Sequence, residues 1–158
     1  MLIDQNKSRL QIENLIMGKE LPQFNLFRMG YTFFRGCHTT AYKRRSFLLE
    51  LVLSPFYPDE IPKLYVIKPK IMKKYGGGNI NLFGDSHRFH TNQNGPGGIV
   101  RICHFEKDNW NASRTCVGVF YKGILWLEAY DLHLTTGRDI SVLINEIKKR
   151  QENGTRRS

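Results

Sequence analysis

The chain has 158 residues, the size of one domain, and its 41% hydrophobic and 12% aromatic residues exclude a disordered polymer. Twenty-four Lys and Arg against fourteen Asp and Glu leave a formal charge of +10, which draws acidic partners without specifying a fold. No run reaches the roughly 18 apolar residues of a membrane span, the charged N-terminus lacks the pattern of a secretory leader, and Cys37, Cys103 and Cys116 have no paired spacing. A single domain in the cytoplasm with free thiols is expected.

Residues 7–17 place Leu10, Ile12, Leu15 and Ile16 at helical spacing before Gly18, which predicts a first helix. From Asn25 to Leu53 the period changes. The run FRMGYTFFRG, a turn-rich CHTTA and then YKRRSFLLELVL, where Phe47, Leu49, Leu51 and Leu53 alternate, read as strands. Three prolines in eight residues (Pro55, Pro58, Pro62) make the next stretch a loop, and KLYVIKPK a further strand. Residues 71–114 read as one long irregular segment containing His87, His90, Asn92, Cys103 and Trp110, and loops of that length in a compact domain are commonly functional.

Val117, Phe120, Ile124 and Leu127 predict a second helix over 115–134, broken near Gly123, with Gly137 beyond its end. Asp139 is placed to cap a third, with Ile140, Leu143, Ile144 and Ile147 as its apolar stripe and Lys148, Lys149 and Arg150 at the end that favours cations. Residues 151–158 read as a flexible tail. Strands followed by helices give an α+β domain with a four-stranded antiparallel meander.

The order of these elements carries a resemblance, together with SPFYPDEIPKLYV at 54–66, FHTN at 89–92, the glycines before Ile102 and Cys103, Trp110 with NASRT after it, and WLEAYDLHLTTG at 126–137. Over about residues 7–150 the chain resembles the ubiquitin-conjugating enzyme (UBC) family. The last segment is most similar to its bacterial branch, associated with cyclic-oligonucleotide antiphage (CBASS) operons. The likeness implies a UBC-like fold and a reactive Cys103 that holds a modifier protein's C-terminus as a thioester and passes it to a lysine, because a thiolate is both nucleophile and leaving group. It also implies, as partners, the modifier's C-terminus and a cGAS-like nucleotidyltransferase or an activating enzyme, with no cofactor and no specific nucleic acid.

Asn92 is the candidate donor to the developing oxyanion or the residue that fixes the loop, and His90 the organiser of that turn. His104, next to the thiol, could act as a cation or base, although neighbours in extended chain point to opposite sides. The sequence departs from the family's motif at Thr91, where the family has Pro, and at Ile61, before Pro62. The separation of His90 from Cys103, thirteen residues, is also longer than the family's, the additional residues lying in QNGPGG.

Alternatives remain open on the residues alone. A non-catalytic relative could dock an acidic partner through its basic surface, with RRS and KKRQ near the C-terminus and KPKIMKK at 68–74 as local sources of charge. Cys103, His90 and Asn92 could form a hydrolytic site. His87, His90, Cys103 and His104 could bind zinc, though at no common spacing. Cys37 and Cys116 read as structural thiols, and Tyr57, Trp110 and Trp126 as packing. Neither GGGNI nor GPGG carries the Lys-Ser/Thr of a phosphate loop, so activation of the carboxylate is expected to come from another protein.

Overall fold

The alternating Phe47, Leu49, Leu51 and Leu53 are all buried along one strand, and the face they share is the floor of the core. In the computed structural model residues 2–105 and 107–156 are described. Among them are three α-helices and a six-stranded antiparallel sheet, an α+β arrangement. Strands β1 (Asn25–Arg28), β2 (Thr32–Thr39), β3 (Ser46–Leu53) and β4 (Lys63–Lys68) form the expected meander.

The expectation of four strands is corrected by β5 (Thr91–Asn92) and β6 (Arg101–Ile102), which extend the order to β1-β2-β3-β4-β6-β5. Two residues are too short to show a period, and both strands lie inside the stretch read as irregular. Cys37–Thr39, read as a turn, belong to β2.

Helix α1 (Leu2–Glu20) buries Glu13 and Met17, with buried Leu21 just beyond its end, and exposes Ile12 and Leu15. Of the predicted stripe Leu10 and Ile16 pack against the core, while Ile12 and Leu15 do not, because one core-facing position holds a carboxylate instead of an apolar group. Helix α2 (Cys116–Thr136) is unbroken at Gly123. Its Phe120 meets Phe34 of β2 edge-on and its Tyr130 meets Phe47 of β3. Gly123 lies between them against Leu64 of β4, where an added Cβ would come within 2.5 Å of the Leu64 side chain. The glycine is a packing requirement here, not a hinge. Each large side chain buried in this layer contributes about 1.5–3 kcal/mol of transfer free energy.

Helix α3 (Ile140–Arg156) buries Ile140, Leu143 and Ile144 as expected. It continues to Arg156, past the point where a flexible tail was expected to begin at 151; residues 157 and 158 lie outside the described ones. Asp139 precedes it, its carbonyl accepting from the Leu143 N–H and its carboxylate from Arg88 Nε. Among the described residues no helix is long and apolar enough to cross a membrane.

Candidate active site

The long segment after β4 ends in a hairpin, and its register places the predicted residues. Thr91 pairs with Ile102 and Asn92 with Arg101, and the Cys103 N–H donates to the His90 carbonyl at 3.2 Å. Directly opposed residues of an antiparallel pair share a face. The half-buried Asn92 and Arg101 therefore lie on one side and the buried Thr91 and Ile102 on the other, with half-buried His90 and Cys103 just beyond the strand ends and His104 buried after them.

The additional residues of QNGPGG do not shift this pairing. They fold into the hairpin's own loop, where Gly95 N–H donates to the Ile99 carbonyl and Pro96–Gly98 form a short 3-10 turn. Gly95 packs against Tyr65 so closely that a Cβ would lie 2.3 Å from the ring.

His90 holds a left-handed backbone, φ 54°, a region that non-glycine residues enter at a cost. It does so where the chain turns from residues 86–89 into β5. Its N–H donates to the His87 carbonyl while its own carbonyl receives Cys103. The His90 main chain thus ties the turn to the residue that carries the thiol.

Cys103 is half-buried. Two residues on, Phe105 carries Lys122 Nζ at 4.1 Å and Arg114 Cζ at 5.0 Å from its ring centroid. Burial lowers the pKa of Lys122, the neighbouring Lys148 and Arg114 cations lower it further, and Cys103 acts in the opposite direction. The sulfur is thus within electrostatic range of the ammonium. Cations beside a cysteine favour thiolate over thiol. The sequence reading missed Lys122, Arg114 and Phe105. A lone lysine inside the apolar run VGVFYKGILW of α2 was the available signal.

His104 has a different job from the one expected. Its Nε2 donates to the Pro62 carbonyl at 2.7 Å, and its Nδ1 is buried without a hydrogen-bond partner among the described residues. Burial lowers its pKa to about 4, the Pro62 bond opposing that shift, so the ring is neutral near pH 7. Buried, uncharged and bonded to the proline loop, it does not supply a cation near pH 7. Trp110 Nε1 donates to the Pro58 carbonyl at 2.9 Å. His104 and Trp110 together fasten the proline loop to the segment after β6.

The other thiols differ sharply. Cys116 is fully buried at the start of α2, with its Sγ donating to Tyr57 Oη at 3.2 Å and its N–H to Glu13 Oε2 at 2.9 Å. Glu13 also accepts from Tyr57 Oη at 2.5 Å and from Arg9 Nε at 3.0 Å. Burial pushes the Cys116 thiol pKa far up, and the Glu13 charge pushes it further. Cys37, read as a structural thiol, is instead exposed on β2, because its strand position faces away from the helices.

Among the described residues no group of three or more His, Cys, Asp and Glu side chains is placed to hold a metal ion. No protein-family model matches the chain, and no curated protein and no solved structure matches it.

Proposed function

We propose that this chain is a ubiquitin-conjugating-enzyme-like cysteine acyl carrier with a UBC-like fold, acting in bacterial antiphage defence beside a cGAS-like nucleotidyltransferase. The observation that carries the reading is Cys103: half-buried at the end of a hairpin, tied by its N–H to the His90 carbonyl next to the Asn92 strand, and within electrostatic range of Lys122. The succession of helix, four-stranded meander, irregular segment and helices supports the fold assignment. The defence context rests on the likeness at 126–137.

In the first step the Cys103 thiolate attacks a modifier C-terminus activated by another protein. A carbon–sulfur bond forms and the activating group leaves with its electron pair. In the second, a lysine amine attacks the thioester carbon, the oxygen gathers negative charge, and collapse expels the thiolate while the amine proton passes to solvent. Diagonal neighbours across a strand pair lie about 7–8 Å apart. Asn92 is therefore suited to an oxygen carried on the sulfur more than to the sulfur itself, and loss of one such donor costs about 10²-fold or more in rate.

The test is intact mass and non-reducing electrophoresis after incubation with the proteins encoded beside it and ATP. A reductant-sensitive adduct on the wild type that becomes a stable ester in Cys103→Ser is expected. No adduct in any combination, with Cys103→Ala binding the same partner as wild type, leaves the second reading: a docking module for an acidic partner, favoured by the net charge of +10.

A further inference from the structure

Two basic runs far apart in sequence, Lys43-Arg44-Arg45 and KPKIMKK at 68–74, become neighbours because β3 begins at Ser46 and β4 ends at Lys68, with Leu48 paired to Lys68. Between them and the last turns of α2 lies a cleft of about 490 Å³. Arg45, Lys68 and Lys73 line it, and no acidic residue does. Asp131, adjacent in sequence to the lining Tyr130, is fully buried, accepting from the Lys43 N–H and pairing with Arg45 Nε at 2.8 Å. Lys68 and Lys73 have no ion-pair partner among the described residues. The cleft is also apolar: Leu134 lines it, and Ile71 stands at it 58% exposed.

We infer that this cleft binds an acidic peptide segment of a partner protein, seating one bulky apolar side chain against Ile71 and Leu134 with flanking carboxylates on Lys68, Lys73 and Arg45. The volume is in the range of sites that bury a compact ligand or anchor, about 300–1,000 Å³, and a buried anchor ringed by complementary charge is how such contacts gain affinity and register. Single-stranded nucleic acid fits less well, because it uses exposed aromatic faces as stacking platforms. The aromatic groups here, Phe47 and Tyr130, are buried, packed edge to face with each other, and Tyr130 is stacked on Trp126. An anionic membrane calls for a protruding apolar face, whereas this surface is concave.

None of these lining residues is among those around Cys103, so the inference stands apart from the acyl-carrier reading. The experiment is titration of isotope-labelled full-length protein with a synthetic peptide of Asp and Glu around one central Leu, followed by amide shifts and, with a fluorescent label, anisotropy. Shifts are expected at 45–47, 68–73 and 130–134, with affinity at least about tenfold weaker for Lys68→Glu/Lys73→Glu and several-fold weaker for the peptide carrying Ser in place of Leu. Cys103→Ala is expected to bind like wild type, and the altered lysines, being on the rim, leave the melting temperature unchanged. Absence of shifts, indifference to the central Leu or to the lysine changes, or tighter binding of oligo(U) or phosphatidylserine vesicles at the same amides overturns the inference.

Discussion

Cys103 and Cys116 are the same side chain in two electrostatic settings. Cys103 ends a surface hairpin within range of Lys122, on a segment whose Phe105 also carries Arg114. Cys116 has no exposed surface, and its nearest polar groups are a tyrosine hydroxyl and a carboxylate already holding Arg9, Tyr57 and a backbone N–H. Burial and the Glu13 charge oppose a thiolate at Cys116, whereas Cys103 keeps partial contact with solvent and has Lys122 within electrostatic range. Reactivity therefore follows from position, and a count of cysteines carries no information about it.

The largest expected effect is a direct measure of that contrast. In the native protein near pH 7, iodoacetamide should alkylate Cys103 at least about 10³-fold faster than Cys116, whose reaction must await local or global opening. Peptide mass mapping over time measures both rates in one sample, with exposed Cys37 as an internal reference. In denaturant the two rates should converge. Comparable native rates would mean that the buried cluster of Glu13, Tyr57 and Cys116 opens readily, and the contrast would collapse.

The sequence made the long elements legible and the short ones illegible. The meander β1 to β4 and the helices α2 and α3 follow from apolar periods sustained over many residues, and tertiary packing reinforced them. The β5–β6 hairpin had no such signal: two-residue strands are specified by backbone pairing and by glycines that fit only against Tyr65 and the turn. In α1 the buried Glu13 broke the apolar pattern, so of the assigned stripe Leu10 and Ile16 pack against the core while Ile12 and Leu15 face water.

At the candidate site, motif order identified Cys103, Asn92 and His90 as a set; the hairpin sets Asn92 opposite Arg101 and ties the Cys103 N–H to the His90 carbonyl. Lys122 and Arg114 could not be found this way, since their relation to Cys103 exists only once α2 is docked on the sheet. Burial of the ring against the Pro62 carbonyl, visible only in the folded chain, is what fixes His104 as neutral.

That buried ring gives an effect of intermediate size. His104 titrates near 6.5 when unfolded and about 4 when folded, chiefly because burial penalises the cation. The unfolded chain binds the proton first, so the neutral ring's stabilisation is complete above about pH 6.5 and is lost as pH falls from there to 4. The loss amounts to at most about 3 kcal/mol. Urea titrations from pH 7 to pH 4 should show it, and His104→Gln should remove that share of the slope while leaving the share from His133, whose pKa burial also lowers. An unchanged slope in the variant would mean that the ring reaches solvent when protonated.

The smallest effect tests what makes the Cys103 side of the comparison reactive. Lys122 reaches Phe105 from α2 and is half-buried, so its charge is less screened than that of a fully exposed lysine. Replacing it by Met keeps the length and the contact with the ring but removes the charge. Alkylation of Cys103 near neutral pH should slow several-fold, with the rate recovering as pH is raised and with Lys122→Arg close to wild type. Added salt should narrow the difference between Met and wild type, because screening weakens the same interaction. A purely structural role for Lys122 would instead lower the melting temperature and leave the pH profile of alkylation in place. The two outcomes separate a cation that tunes the thiol from one that only covers Phe105.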